Sequence, residues 1–153
     1  MPYAQNTSVS TDKSRAEIES LLRRFGAQQF VSGWDQEKAM IGFTIQGRMI
    51  KMILDLPRLN DSKFQTTPSG RPRNDEKAIY KAWEQACREK WRAFVLGIKA
   101  KLVFVESGIT SIEEEFLAHI TLPDGSTVGE YTLPQVDVAY KTGKMPALLP
   151  WVK

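Results

Sequence analysis

The stretch from Ala39 to Leu54, AMIGFTIQGRMIKMIL, decides the fold. Ala39, Ile41, Phe43 and Ile45 alternate with Met40, Gly42 and Thr44, the period of a strand with one buried face. Reading Gln46-Gly47 as a two-residue turn sets Phe43 opposite Ile50, Ile41 opposite Met52 and Ala39 opposite Leu54. Every pair then joins apolar to apolar, so turn and register agree. The opposite face mixes Met40, Thr44, Met49, Lys51 and Ile53 and is only partly apolar. Upstream, Phe30, Ser32 and Trp34 alternate before a polar turn over Asp35 to Lys38, which adds a third strand. The expectation is an antiparallel meander with one helix-covered face.

Working outward, the N-terminal side offers several helix caps between Ser10 and Ser14, and Ser14 with Glu17 has capping-box spacing. Ile18, Leu21, Leu22 and Phe25 recur at i, i+3, i+4 and i+7, one buried stripe. Arg23 and Arg24 suit the last turn, and Gly26 suits a left-handed cap. On the C-terminal side, Asn74 is a good N-cap for a long helix from Asp75 to about Glu106. On a helical wheel Ile79, Trp83, Ala86, Ala93 and Phe94 share one arc, with Lys77, Lys81, Arg88, Arg92 and Lys99 on the far side. Ser111 with Glu114 then starts a short helix through Phe116, Leu117 and Ile120. For 120–142 two readings stand: a hairpin about Asp124-Gly125, or a helix capped by Thr127 and Glu130, bent at Pro134 and ended by Gly143. The helix is preferred. The apolar end, Met145 to Trp151, is expected to dock on the body or on another subunit. The fold class is therefore α+β: N-terminal helix, three-stranded antiparallel meander, long helix, then short helices, packed on one sheet face.

The chain has 153 residues, 42% hydrophobic and 25% charged, which suits one domain over 1–153, with 1–10 flexible. That composition excludes a collagen-like or wholly disordered chain, and no apolar run approaches the ~20 residues of a membrane span. One cysteine excludes an internal disulfide framework, and one histidine removes a multi-histidine metal cage. The polar N-terminus lacks the apolar core of a signal peptide, so a cytoplasmic location in a host cell is expected. Charge is uneven: residues 1–56 carry +1, 57–105 carry +6 and 106–153 carry −4. The segment 57–74 has no periodicity and holds Arg58, Lys63, Arg71 and Arg73 against one acid, Asp61, so it is expected to be a long basic loop.

Several residue groups resemble a family of small proteins of tailed phages and prophages. They include Ser14-Arg15-Ala16-Glu17-Ile18-Glu19, Ala82-Trp83-Glu84-Gln85-Ala86-Cys87-Arg88 with Trp91-Arg92-Ala93, Phe116-Leu117-Ala118-His119-Ile120, and Leu122-Pro123-Asp124-Gly125. The resemblance covers nearly the whole chain and is weakest in the basic loop. It implies a phage origin and a single unit, and it carries across no activity, cofactor or catalytic residue.

The residues give enzymatic chemistry no support. Glu115 and His119 share a helix face, but a metal site needs more ligands, and a paired or capping histidine is the simpler reading. Cys87 reads as a buried inert thiol, and Glu113, Glu114 and Glu115 as a solvated first helical turn. No P-loop, dinucleotide fingerprint or nucleophile elbow occurs. The expectation is a protein that is not an enzyme and needs no cofactor or metal. Its partner would be nucleic acid, DNA ahead of RNA, bound with little sequence preference through Arg58, Lys63, Arg71, Arg73, Lys77, Lys81, Arg88, Arg92 and Lys99. A homo-oligomer is the expected assembly. The alternative is a protein-interaction module or inhibitor of a host or phage protein, acting through apolar helix and C-terminal surfaces.

Overall fold

The structure, a computed structural model, describes residues 4–35 and 37–148. Helix α1 (Thr11–Arg24) is capped by Ser10, whose hydroxyl accepts from the Lys13 N–H. Ser10 is one of the expected candidates between Ser10 and Ser14; Ser14, which has capping-box spacing with Glu17, is itself buried within the helix. Strands β1 (Gln29–Trp34), β2 (Lys38–Ile45) and β3 (Arg48–Asp55) form one antiparallel sheet in the order β1-β2-β3. The register pairs Phe43 with Ile50, Ile41 with Met52 and Ala39 with Leu54. Gln46 and Gly47 both take positive φ (49° and 74°), the geometry that a right-twisted two-residue hairpin turn requires.

The 57–74 segment has more structure than its sequence suggests. A short helix α2 (Ser62–Gln65) buries Phe64, and Thr66 bridges to Pro72 around an exposed tip. Helix α3 (Glu76–Glu106) follows, capped by Asp75 rather than Asn74. Its buried residues are Cys87, Trp91, Val95, Ile98 and Leu102, stepping by four, four, three and four. The expected arc was different: Ile79, Trp83, Ala86 and Phe94 are only half-buried, and Ala93 is exposed. Helix α1 and the sheet together cover a stripe lying between the two arcs, so Trp83 and Phe94 flank the contact while Trp91 sits within it.

Beyond α3, helix α4 (Ile112–Glu115) and a 3₁₀ turn (Leu117–His119) lead to helix α5 (Val128–Thr142). Capping boxes at Ser111/Glu114 and Thr127/Glu130 are both formed, and α5 ends at Gly143 (φ 70°). The 120–142 segment is thus mainly helical. A short bridge between Thr121 and Thr127 remains of the hairpin alternative. Helices α1 and α3 cover one sheet face, and Phe43 meets Phe116 edge-to-face at 5.7 Å in the core. The N-terminal lead expected to be flexible makes two hydrogen bonds to α3: Glu89 accepts from the Asn6 N–H, and Gln85 donates to the Thr7 carbonyl. At the other end Met145, Ala147 and Leu148 are exposed and Pro146 is half-buried; the rest of the apolar end, Leu149 to Trp151, lies outside the described residues. No described helix is long and apolar enough to cross a membrane.

Candidate functional site

Helix α3 has 31 residues, about 46 Å at ~1.5 Å each. The longest strands have eight, about 27 Å at ~3.4 Å each. The helix therefore overhangs the sheet, and the face that packs on strands downstream is left uncovered over its first turns. That overhang forms the floor of an open groove of about 1490 Å³. One wall is the start of α1 (Ser10 to Arg15). The other is Leu56 to Asn60, and the β1–β2 turn closes one end with Trp34, Asp35 and Glu37.

Aromatic rings dominate the interior. Trp91 is buried at the base, and Trp83 is half-buried with its indole N–H donating to the Pro57 carbonyl at 2.7 Å, which pins the loop wall. Tyr80 lies 5.3 Å from Trp83 between ring centres and is 48% exposed. Trp34 is 72% exposed. Strand alternation puts it on the helix-covered face, but it is the last residue of β1 and projects past the corner the helices cover.

The lining as a whole, half of its charged residues on α3 itself, carries both signs in equal number: Arg15, Arg58, Lys77, Lys81 and Arg88 against Asp12, Asp35, Glu37, Glu76 and Glu84. Arg15 pairs with Asp12 at 2.7 Å, and Arg58 with Glu37 at 2.9 Å. Asp35 accepts from the backbone N–H groups of Glu37 and Lys38, which hold its carboxyl below the usual range. Arg88 donates to the Gln85 side-chain carbonyl. Lys77 and Lys81 have no carboxylate in ion-pair reach among the described residues.

The nine expected phosphate-binding cations do not form one track. Four (Arg58, Lys77, Lys81 and Arg88) line the groove. Lys63 sits with its ammonium 5.0 Å over the Phe64 ring, and Arg73 donates to the Phe64 carbonyl, so both belong to the α2 unit. Arg71 is exposed at the tip between Thr66 and Pro72, where its N–H is held by the Thr67 hydroxyl. Arg92 forms an ion pair with Glu17 of α1 and is only 24% exposed. Lys99 is exposed more than two turns beyond the groove. The physical reason is the shifted packing face: the basic stripe lies on the flank of α3 beside α1, not opposite the core. The acidic final third does not cover these residues either. Its Glu113 pairs with Arg48, Glu115 with Lys101 and Asp137 with Lys141, while Glu114 and Glu130 serve capping boxes.

The groove holds no obvious nucleophile. Cys87 in its floor is buried, and burial followed by the Glu84 carboxylate pushes its thiol up to about 11. His119 lies elsewhere, and burial together with Lys101 lowers its pKa. Glu115 bonds Lys101 and Thr110, which occupies the carboxylate that could have partnered it. No three His, Cys, Asp or Glu side chains converge as metal ligands among the described residues. Sequence reasoning missed Trp34, Tyr80 and Arg15 as site residues. The available signal was length: a helix predicted far longer than the strands beside it must overhang them. No family model, curated protein or solved structure matches the chain.

Proposed function

We propose that the groove binds a segment of another protein, one carrying apolar or aromatic anchors flanked by charges of both signs. The observation that carries this reading is a groove with an aromatic interior and a lining of balanced charge. Aromatic residues and arginine are the side chains that contribute most at protein interfaces. A volume of about 1490 Å³ exceeds the ~300–1,000 Å³ of small-molecule sites and suits a length of chain. Balanced charge gives a polyanion little net attraction, but selects a peptide with matching positive and negative positions. In a phage-encoded protein acting in the host cytoplasm, as the sequence resemblance implies, the segment would belong to a host or phage protein.

The test is selection from a random peptide library against the full chain and against the double variant Trp34→Ala/Tyr80→Ala. Peptides enriched on the first should bind it with Kd in the micromolar range, about −8 kcal/mol, and bind the variant at least tenfold more weakly. No enrichment, or equal enrichment on both, refutes the proposal.

A second reading keeps nucleic acid as the ligand. Among the described residues Lys77, Lys81 and Arg88 lack carboxylate partners, and they line the same groove as the exposed rings of Trp34 and Tyr80, the combination that stacks single-stranded bases. With about four phosphates engaged, duplex affinity would fall on the order of a hundredfold between 50 and 200 mM salt. Binding of a labelled oligonucleotide with that salt response, lost in Arg58→Glu/Arg88→Glu, would replace the peptide reading.

A further inference from the structure

We infer that this protein is a symmetric dimer in which each copy lays helix α5 across the uncovered sheet face of the other. The inference is independent of the groove, which lies on the helix-covered side.

The helix supplies the first half. Gly129, Leu133, Val136 and Tyr140 step by four, three and four, one stripe along α5. The stripe begins in contact with the body: Gly129 is buried, and a Cβ there would lie 2.9 Å from the Ala118 carbonyl oxygen. It then runs past the 3₁₀ turn with none of the described residues over it, Leu133 being 63% and Tyr140 89% exposed. An apolar stripe that starts as packing and continues into solvent is an incomplete contact.

The sheet supplies the second half. Its open face carries Gln29, Val31 and Gly33 from β1, Met40, Gly42 and Thr44 from β2, and Met49, Lys51 and Ile53 from β3. Its charged residues are Lys51 and, at one end of the face, the register pair Lys38 and Asp55, which leaves a single charge near the centre. Val31, Met49 and Ile53 are exposed, and with Met40 they surround Gly42 in the middle strand. A glycine at the centre of a strand leaves a shallow seat where another backbone or a large side chain can approach. Two inter-strand spacings are about 10 Å, and Leu133 to Tyr140 also run about 10 Å along the helix axis. A helix on this face would complete a three-layer arrangement.

One chain thus holds both complementary parts but does not join them. Helix α5 starts at the sheet's edge, where Thr121 donates to the Met49 carbonyl and Lys51 donates to the Gly125 carbonyl, yet it packs on the 3₁₀ turn. Reciprocal exchange about a two-fold axis satisfies both parts in two copies. The surface area agrees. The chain exposes 10679 Å², whereas a compact monomer of 17.3 kDa exposes about 7,800 Å². Even with as much as about 160 Å² set aside for each of the nine residues outside the description, the excess is about 1,400 Å². A stable interface takes about 800 Å² or more from each partner.

The test is sedimentation of the full chain at about 100 µM, far above a micromolar Kd, with variants on both surfaces. The wild type should sediment at twice 17.3 kDa. Leu133→Glu on the helix and Gly42→Val in the sheet should both sediment as monomers, with far-UV circular dichroism of the folded chain. The second is compatible with the fold, because a Cβ at Gly42 would lie 3.4 Å from its nearest neighbour, the Val31 side chain. Mixing Leu133→Cys with Ile53→Cys should give a mixed disulfide dimer under mild oxidation that neither variant gives alone. A monomeric wild type overturns the inference. So does a dimer lost in the helix variant but kept in Gly42→Val, which would mean that α5 pairs with α5. A cross-link formed by either cysteine variant alone would also overturn it.

Discussion

Replacing Gly129 with alanine should destabilise the protein, although alanine is the better helix former. In an open helix interior the exchange gains up to ~1 kcal/mol, and less in a first turn such as this one. Here the added Cβ would lie 2.9 Å from the Ala118 carbonyl oxygen and 3.3 Å from the Ala118 Cβ. The obstacle is backbone, so relief requires the 3₁₀ turn to move. That turn is fixed on one side by Phe116 in the core and on the other by the Thr121 bond to the Met49 carbonyl. Overpacking of this kind costs ~1–3 kcal/mol, which leaves a net loss of about 1–2 kcal/mol. The control is Gly97→Ala in α3, where a Cβ has nothing within 4 Å and the position is exposed. It should stabilise by ~0.5–1 kcal/mol. Urea unfolding of the two variants at one protein concentration should therefore shift midpoints in opposite directions at equal m-value. In a thermal scan each kcal/mol corresponds to about 2–4 °C for a chain of this size. A Gly129→Ala protein as stable as wild type would refute the close contact of α5 with the 3₁₀ turn, and with it the placement of the α5 stripe.

Trp83→Phe keeps the ring but removes the donor to the Pro57 carbonyl, and should cost about 1–3 kcal/mol in urea unfolding because a buried acceptor loses its partner. Cys87, with its thiol pushed up to about 11, should react with a disulfide reagent at pH 8 only on the unfolding timescale and within seconds in denaturant; fast labelling of the native protein would place it at the surface. His119 has a lowered pKa in the fold, so the unfolded chain binds the extra proton first, and stability present above 6.5 declines as pH falls below it. His119→Gln should flatten that part of the stability–pH curve, and an unchanged slope would assign it to another group.

The sheet was legible because its evidence is local and redundant. Gln46-Gly47 fixes the turn, and the alternation of Ala39, Ile41 and Phe43 fixes the face, so either would expose an error in the other. The caps at Ser111 and Thr127 were legible for the same reason, since each is a two-residue signal whose partners are three apart. The packing face of α3 was not. In 31 residues with apolar side chains on most sides, the wheel offers two arcs, and only the positions of α1 and the sheet choose between them. The four-four-three-four spacing from Cys87 to Leu102 was in the sequence, but Trp83 and Phe94 pulled the expected arc toward the larger rings. That single rotation moved the basic stripe from an open face to the flank of α1, and the nine-cation track depended on it. Trp34 escaped notice because a strand pattern reports which face a residue is on, not whether the opposing layer reaches that far.

The charge asymmetry that first suggested a polyanion is absorbed within the fold at three of the eleven cations of 57–105, Arg58, Arg92 and Lys101. Arg92 meets Glu17 and Arg58 meets Glu37, so the basic middle draws on carboxylates of the first third. Lys101 and Arg48 in turn meet Glu115 and Glu113 of the last third. These pairs are mostly exposed and each contributes little to stability, about 0–1 kcal/mol. Their effect on recognition is larger, because a cation already beside a carboxylate offers a phosphate less net field than its formal charge implies. The remaining seven of the nine expected cations, Lys77, Lys81 and Arg88 in the groove, Lys63 and Arg73 on the α2 unit, Arg71 at its tip and Lys99 beyond the groove, are spread over separate parts of the surface. A ligand read by charge alone would find only fragments of a track. The rings of Tyr80 and Trp83 are in contact and share the groove with Trp34 and Trp91, and so they, with the balanced charge of the lining, define what the groove can hold.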